Sequence, residues 1–146
     1  SKNSYLFNGI APNVNVGYPH IGQLIPFEVS KYCQELMDIP LMIQIPDDML
    51  SVFDVESIVK ESDSIKNHIN HILALGFDVE KLFIFRNTTQ CADMYPSILK
   101  IAKGIKFSKA ARLFNVSETM NIQQVNFPAN QIAPILYTSF RNLFYS

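Results

Sequence analysis

The 146-residue sequence contains no tryptophan and only two cysteines, and the scarcity of cysteine limits the sites that the protein can form. Cys33 and Cys91 do not stand at a metal-ligand spacing. Two cysteines are also too few for the disulfide framework of a small secreted protein. We therefore expect two free thiols in a reducing compartment.

Long apolar runs and an excess of charge are missing as well. The longest apolar segments fall well short of the roughly 18 to 20 residues that span a bilayer, and the N-terminus lacks the charged and apolar regions of a signal peptide. These absences favour a cytoplasmic protein without membrane contact. The formal net charge of -1 argues against a broad basic surface for nucleic acid, although a local basic stripe stays open.

Apolar side chains are plentiful. They make up 48% of the sequence, which is enough for the core of one globular domain. The last residues, 144–146, end an amphipathic segment that no closing helix or polar tail follows. We therefore expect a fragment of a longer protein, or a chain with pieces missing.

Apolar periodicity predicts a regular alternation of strands and helices in residues 1–90. Short apolar runs predict strands at 5–7, Leu41–Ile45 and 82–85. Apolar residues at helical spacing predict a helix over 20–36 and a second helix that begins after Asp54 and ends at Gly76. The alternation is typical of a parallel sheet with right-handed crossovers, and it predicts a Rossmann-like α/β fold.

The first helix is expected to bury one face against this sheet. The apolar residues that recur at helical spacing are Ile21, Leu24, Ile25, Val29, Tyr32, Cys33 and Leu36. Beyond the third strand, the pattern predicts helices over 94–105 and 108–114 and a weaker helical segment from Gln131 onward. We assign residues 1–90 to the first half of a nucleotide-binding domain and residues 91–146 to a helical insertion.

The start of the first helix carries the strongest functional pattern. Parallel sheets bind ligands beyond the carboxyl ends of their strands, and a helix N-terminus offers unpaired N–H groups to phosphate. Gly22 would let a nucleotide lie close to the helix, and the imidazole of His20 can stabilise charge at an α-phosphate. A histidine and a glycine at this spacing mark an ordinary helix start more often than a site.

The surrounding residues extend this pattern. Phe7-Asn8-Gly9, the following loop and His20-Ile21-Gly22-Gln23 resemble the His-Ile-Gly-His signature of class I aminoacyl-tRNA synthetases. Further blocks, in family order, are similar to eukaryotic-type tryptophanyl-tRNA synthetases. These blocks are Leu24-Ile25-Pro26-Phe27, Pro40-Leu41-Met42-Ile43-Gln44 with Asp47-Asp48, Gly76-Phe77-Asp78 with Lys81 and Phe83-Ile84-Phe85, and Phe127-Pro128-Ala129 with Gln131, Ala133 and Pro134. They occur across nearly the whole chain.

The resemblance implies a cytoplasmic homodimer that activates tryptophan with ATP and Mg²⁺ and then esterifies the acceptor end of tRNA. It assigns ATP contacts to Gly9, Ile10, Pro12, His20, Gly22 and Gln23, with His20 and Gln23 as the catalytic pair. It assigns amino acid contacts to Phe7, Gly9, Gln44 and Met49, and among these Gln44 holds the α-amino group. No metal ligand is implied within the chain. Residues 91–146 are expected at the dimer interface, while the second signature loop and the anticodon-reading domain are expected to lie outside this chain.

Four contacting residues depart from the family pattern. Gln23 replaces the second histidine and cannot carry its positive charge, and Ile10 replaces an arginine that faces phosphate. Phe7 replaces a tyrosine and Met49 a glutamate that together recognise the indole N–H. These changes predict an impaired tryptophan–tRNA ligase, and the chain by itself is not expected to aminoacylate. A catalytically inactive binding or regulatory module and a tyrosyl-type synthetase remain the alternatives.

Two polar pairs have ordinary explanations. Asp47 and Asp48 follow a strand and are expected to serve a turn and a helix cap, because adjacent carboxylates rarely converge on one atom. His68 and His71 lie one helical turn apart with no carboxylate or cysteine to complete a metal site, and we expect them on a solvated helix face.

Two larger sets occur in the helical insertion. Basic residues that recur every three positions predict either a groove for the acceptor stem of tRNA or a solvated face. They are Lys100, Lys103, Lys106, Lys109 and Arg112. Large apolar residues of the same region are expected in the core or at the subunit contact. They are Met94, Tyr95, Leu99, Phe107, Leu113 and Phe114.

Overall fold

The computed structural model describes residues 4–9, 19–53, 61–114, 116–136 and 140. Its strands are β1 (Leu6–Gly9), β2 (Leu41–Ile45) and β3 (Leu82–Arg86). Its helices are α1 (Ile21–Met37), α2 (Asp48–Phe53), α3 (Glu61–Ala74), α4 (Cys91–Gly104), α5 (Phe107–Phe114) and α6 (Ile122–Ile132). Single 3₁₀ turns occur at Val79–Lys81 and Ala133–Ile135.

The chain divides into two compact units, Ser1–Thr88 and Thr89–Ser146. The first unit contains the sheet, and the second contains α4, α5 and α6. No helix among the described residues is long and apolar enough to cross a membrane. Both cysteines are free thiols, as predicted, with Cys33 half-buried and Cys91 exposed.

The sheet of the first unit is parallel, with its strands in the order β1-β2-β3. Gly9 pairs in register with Gln44, and Gln44 pairs with Phe85. The three predicted strands and their parallel arrangement are confirmed. The carboxyl ends of all three strands therefore meet at one edge of the sheet.

The core of the first unit lies on one side of this sheet. Phe27 of α1 and Ile65 and Ile72 of α3 pack against side chains of β2. The β2 residues in this cluster are Leu41, Ile43 and Ile45, all fully buried. A strand in the middle of a parallel sheet is covered on both faces, and this explains why β2 is apolar at every position except Gln44.

Helix α1 forms where the periodicity predicts it, but the prediction of its buried face is wrong. Phe27 and Gln34 are the buried residues of this helix. Five of the residues predicted to face the core are each more than half exposed: Ile21, Ile25, Val29, Tyr32 and Leu36. Periodicity shows that a helix has an apolar stripe. Which side of the helix contacts the sheet depends on the strands to which its loops connect it.

A buried amide links α1 to the segment that leads into β3. Gln34 is 2% exposed, and its Nε2 donates to the backbone oxygen of Lys81 at 3.1 Å. Its Oε1 accepts from the backbone N–H of Asp78 at 3.1 Å. Gly76, at φ 79°, follows α3 in the left-handed conformation that glycine adopts readily, as the sequence predicts for a helix end. Residues 54–60, the first part of the predicted second helix, lie outside the described residues.

In the second unit, α4 and α5 form near their predicted positions, and a third helix lies mostly ahead of the segment predicted from Gln131 onward. Residues 137–139 and 141–146 of that predicted segment lie outside the described residues. Helix α6 runs over Ile122–Ile132, whereas the sequence predicted helix from Gln131 onward. Its start is fixed by a capping box, in which Asn121 Oδ1 accepts from the N–H of Gln124 at 2.9 Å and Gln124 Oε1 accepts from the N–H of Asn121 at 3.1 Å. Pro128 inside the helix weakened the periodic signal.

Helices α4, α5 and α6 surround a cavity of about 260 Å³ in the second unit. Its lining is apolar apart from one amide and comprises Ala102, Ile105, Phe107, Ala110, Phe114, Ile122, Val125, Asn126, Pro128 and Ala129. Met94 is buried, whereas the other five large apolar residues singled out in the sequence are exposed. A core position is confirmed for Met94, and for the five exposed residues the subunit contact stays a prediction.

Candidate functional site

The carboxyl ends of β1 and β2 bring together three of the predicted amino acid contacts. Gly9 ends β1, and a Cβ atom placed on it would lie 3.0 Å from Gln44 Oε1 and 3.5 Å from Phe7 Cε1. A Cβ atom at this position would be in tight contact with the Gln44 side chain, which would have to shift by a few tenths of an ångström. Phe7, Gly9 and Gln44 therefore form one group at the edge where parallel sheets bind ligands.

The first turn of α1 holds a second group of predicted residues. The backbone N–H of His20 donates to Gln23 Oε1 at 3.1 Å, which caps the helix. The His20 ring lies against Gly22, since a Cβ there would be 3.2 Å from both Nδ1 and Cε1 of the imidazole. His20 itself is exposed. The carbonyl oxygen of the Gln23 amide is thus used within the helix start, while the imidazole is accessible.

Asn8 links the end of β1, where the first group lies, to α1, whose first turn holds the second. Its Nδ2 donates to Ser30 Oγ at 2.9 Å and to the backbone oxygen of Pro26 at 3.2 Å, both on α1. Ser30 Oγ in turn donates to the Pro26 oxygen at 2.8 Å. The end of β1 is therefore held against the part of α1 that follows the His20 turn.

Of the other predicted contacts, the structure describes one. Met49 is half-buried near the start of α2, where its N–H donates to the backbone oxygen of Pro46 at 3.1 Å. Ile10 and Pro12 lie outside the described residues, so their predicted ATP contacts stay predictions.

A buried polar residue that the sequence analysis missed lies beside Gln44. Asn87 follows β3 and is 2% exposed, and its Oδ1 accepts from Gln44 Nε2 at 2.8 Å. Its Nδ2 donates to Asp48 Oδ1, also at 2.8 Å. Gln44, Asn87 and Asp48 thus form a chain of hydrogen-bonded side chains across the carboxyl edge of the sheet.

Asp47 belongs to a separate cluster at the same edge. Its fully buried carboxylate accepts from Arg86 Nε at 2.7 Å, and it also accepts from the backbone N–H and the hydroxyl of Thr88. Asp47 and Asp48 therefore bind different partners and do not converge on one atom, as the sequence analysis expected. Both carboxylates fix the turn that follows β3.

Several known proteins are similar to this chain in sequence and in fold. No protein-family model matches the chain. The cytoplasmic tryptophan–tRNA ligase of Dictyostelium discoideum is 32% identical over 143 residues, which cover 98% of this chain and 35% of that protein. The tryptophan–tRNA ligase of Saccharolobus solfataricus is 37% identical over 144 residues, or 98% of this chain and 37% of that protein.

A solved structure agrees with these relatives. The tryptophanyl-tRNA synthetase from Encephalitozoon cuniculi bound to tryptophan superposes with a TM-score of 0.85 at 37% identity, over 94% of this chain and 38% of that one. The chain is a homologue of the tryptophanyl-tRNA synthetases, which are class I synthetases. It spans little more than a third of the length of the curated relatives.

The synthetase homology confirms two expectations from the sequence, the resemblance itself and the Rossmann-like α/β fold. The roles of individual residues in this tryptophanyl-tRNA synthetase homologue stay predictions. A signal for Asn87 was nevertheless present in the sequence. Arg86-Asn87-Thr88 follows the apolar run of β3, and parallel pairing places the end of β3 beside the end of β2.

Outside the site, the prediction for His68 is wrong. His68 is 1% exposed and contacts Phe27 edge to face, with the ring centroids 6.2 Å apart. Neither ring nitrogen has a hydrogen-bond partner within the part of the chain that the structure describes. Burial, and to a smaller extent the nearby His71, lowers the pKa of His68 below the usual value. His71 is exposed, as expected, and its Nδ1 lies 2.7 Å from the backbone oxygen of Asn67.

Proposed function

We propose that the chain forms the amino acid and ATP subsites of a tryptophan–tRNA ligase whose activation step is weakened. The observation that carries this proposal is the position of Gln44 Oε1 beside Gly9, at the carboxyl edge of the parallel sheet. An amide oxygen there can accept a hydrogen bond from the amino group of an amino acid. The relatives' name and the tryptophan in the E. cuniculi structure supply the candidate amino acid.

The ATP subsite is proposed at the start of α1. The exposed imidazole of His20 and the positive end of the α1 dipole favour phosphate, and Gly22 leaves room beside them. Mg²⁺ would arrive bound to ATP. Among the described residues, no three His, Cys, Asp or Glu side chains cluster closely enough to hold a metal ion.

Four residues support the weakening of this activity. Phe7 and Met49 offer no acceptor to an indole N–H, and Ile10 offers no donor to phosphate. The Gln23 oxygen is used to cap α1, and its amide cannot supply the charge of an imidazolium. We therefore place the main loss in tryptophan selectivity and in the rate of adenylate formation.

Calorimetric titration of the chain with tryptophan and ATP tests the subsites. Because the chain has no tryptophan, the fluorescence of the ligand can be followed without protein background. We expect weak binding of tryptophan that the double variant Phe7→Tyr, Met49→Glu strengthens about 5- to 150-fold, since an acceptor for a buried N–H is worth about 1 to 3 kcal/mol. Binding of phenylalanine, which has no indole N–H, is the control and should not strengthen.

The outcomes separate the alternatives. Absence of tryptophan binding in both wild type and double variant overturns the proposal, and a preference for tyrosine in an amino acid panel favours the tyrosyl-type alternative. Pyrophosphate exchange is measured on the full-length protein. Brisk exchange contradicts the weakening, whereas binding without any exchange favours the inactive module.

We also propose that the second unit contributes to a homodimer. Its exposed apolar residues include Tyr95, Leu99, Phe107, Leu113 and Phe114. Exposed large apolar side chains of this kind suit a protein interface. A tRNA partner of the full-length protein would meet the five basic residues of α4, α5 and the turn between them, which are all exposed.

The dimer is tested by sedimentation velocity of the variant Phe107→Glu, Leu113→Glu. We expect the dimer to dissociate, because two charges would be buried without partners at the contact. Val79→Glu is the control, since Val79 is equally exposed but lies in the first unit. A dimer that persists in the double variant at the wild-type affinity rules out this surface.

A further inference from the structure

The chain of side chains that ends at Gln44 has only one consistent direction of hydrogen bonding. Gln44 and Asn87 are 1% and 2% exposed, so an unpaired amide between them would be costly. Each carries an amide whose nitrogen donates and whose oxygen accepts. The orientation of one amide therefore dictates the orientation of the next.

Asp48 sets this direction. An ionised carboxylate can only accept, so Asn87 must turn its Nδ2 towards Asp48 Oδ1, 2.8 Å away. The Asn87 oxygen then faces Gln44 and accepts from Gln44 Nε2, also at 2.8 Å. The Gln44 oxygen is left at Gly9, and no donor among the described residues is bonded to it.

The backbone around Asn87 is held as well. The buried carboxylate of Asp47 binds both neighbours of Asn87, Arg86 and Thr88. The N–H of Asn87 itself donates to the backbone oxygen of Ile45 at 3.2 Å. Asn87 therefore has little freedom to turn. Because Asp48 accepts, the Asn87 side chain presents its amide nitrogen to Asp48 and its oxygen to Gln44.

We propose that Asp48 and Asn87 are positioning residues that hold the Gln44 amide with its oxygen facing the substrate, so that this subsite selects an N–H donor. This inference rests on the proposed function and extends it to two residues that do not touch the substrate. The donor is either the α-ammonium group or the indole N–H of the amino acid. Both groups have the chemistry that an amide oxygen recognises.

Charge-swap variants at positions 48 and 87 test this relay, by which we mean the hydrogen-bonded chain from Asp48 through Asn87 to Gln44. Asn87→Asp places two carboxylates side by side, and Asp48→Asn lets the Asn87 amide turn over. Asp48→Asn should weaken tryptophan binding about tenfold, because a turned Asn87 amide offers its nitrogen to Gln44 and turns the Gln44 oxygen away from the substrate. Asn87→Asp should lose stability through the repulsion between the carboxylates but keep the orientation of Gln44, since a carboxylate at 87 still accepts from Gln44 Nε2. The double variant Asp48→Asn, Asn87→Asp should return to within about twofold of wild type, because Asn at 48 donates to Asp at 87, which still accepts from Gln44 Nε2. Asn70→Asp and Asp63→Asn make the same chemical changes at exposed positions of α3 and should change nothing.

Two analogues identify the donor. Indole-3-propionate lacks the ammonium group, and benzothienylalanine lacks the indole N–H. The analogue without the recognised donor should bind the wild type more weakly than tryptophan does. That preference should shrink in Asp48→Asn, persist in Asn87→Asp and return to the wild-type value in the double variant. A general loss of structure would weaken all three ligands alike and would not be rescued, and that result overturns the proposal.

A ligand-free measurement keeps this inference separate from the proposed function. The side-chain amide protons of Gln44, assigned in ¹⁵N spectra by their loss in Gln44→Glu, should exchange slowly in wild type and in the double variant. They should exchange at least tenfold faster in Asp48→Asn. If tryptophan does not bind but these rates behave as expected, the relay stands and the proposed function fails. Equal exchange in wild type and Asp48→Asn overturns the relay.

Discussion

The shape of the candidate site depends on Gly9, which has a hydrogen atom where other residues have a Cβ atom. Its φ lies outside the left-handed region, so the glycine is not required by its own backbone. It is favoured by Gln44, whose oxygen lies 3.0 Å from the point that a Cβ atom would occupy. Because Asn87 holds the Gln44 amide, the side chain cannot move away without losing a buried hydrogen bond.

We expect Gly9→Ala to destabilise the chain by about 1 to 3 kcal/mol, the usual cost of an added methyl group in a tightly packed place. Tryptophan binding should weaken in parallel. Urea unfolding and calorimetry measure the two effects. Gly104→Ala is the matched control, because no atom lies within 4 Å of its added Cβ, and it should be neutral or stabilising by up to about 1 kcal/mol. An equal change in the free energy of unfolding in Gly9→Ala and Gly104→Ala would show that the contact of Gly9 with Gln44 contributes little to stability.

At the scale of the elements, α1 is positioned by polar contacts as much as by its apolar stripe. Phe27 reaches the core, while Gln34 bonds the turn before β3 and Lys31 Nζ donates to the backbone oxygen of Leu75 at 2.8 Å. Lys81 adds ion pairs to Asp38, at the end of α1, and to Asp78. These contacts join α1 to the segment between α3 and β3.

Gln34→Ala should therefore destabilise the first unit by about 1 to 3 kcal/mol, because it leaves the N–H of Asp78 and the backbone oxygen of Lys81 without their partner. The measurement is the free energy of unfolding in urea. Gln123→Ala removes the same side chain from an exposed position of α6 and should stay within about 0.5 kcal/mol of wild type. Similar losses in the two variants would mean that the amide bonds of Gln34 contribute little.

At the scale of the whole molecule, the buried His68 links global stability to pH. Its folded-state pKa is lowered from 6.5, mainly by burial and also by His71. The unfolded chain therefore binds a proton at His68 at a higher pH than the folded chain does. Stability contributed by the neutral ring is present above about pH 6.5 and is lost as the pH falls below that value.

We expect the free energy of unfolding to fall between about pH 6.5 and pH 5.5, with a slope from this group of at most about 1.4 kcal/mol per pH unit. His68→Phe should flatten that part of the profile, because the replacement keeps an aromatic ring and removes the titrating group. Denaturant titrations at pH 7.5, 6.5 and 5.5 provide the test. His71→Gln should retain most of the decline, since burial is the larger cause. A decline that survives unchanged in His68→Phe must come from another group.

Much of the molecule follows from local sequence. Alternating apolar runs and helical periodicity determined three parallel strands, helix α1 and the position of Gly76 just after α3, because these features depend on neighbouring residues. Residue type and family order located Phe7, Gly9 and Gln44 as one candidate subsite. The start of α6 was also encoded locally, in the capping pair Asn121 and Gln124, but the proline within the helix obscured it.

The remaining features required the tertiary structure, because they depend on residues that are far apart in the chain. Only folding decided which stripe of α1 meets the sheet and that His68 is buried against Phe27. Only the register of β2 against β3 brings Gln44 to Asn87, 43 residues later, and Asn87 to Asp48. The sequence by itself determined which side chains can donate and accept hydrogen bonds, whereas the packed sheet decided which donor meets which acceptor, since that choice depends on distance and burial.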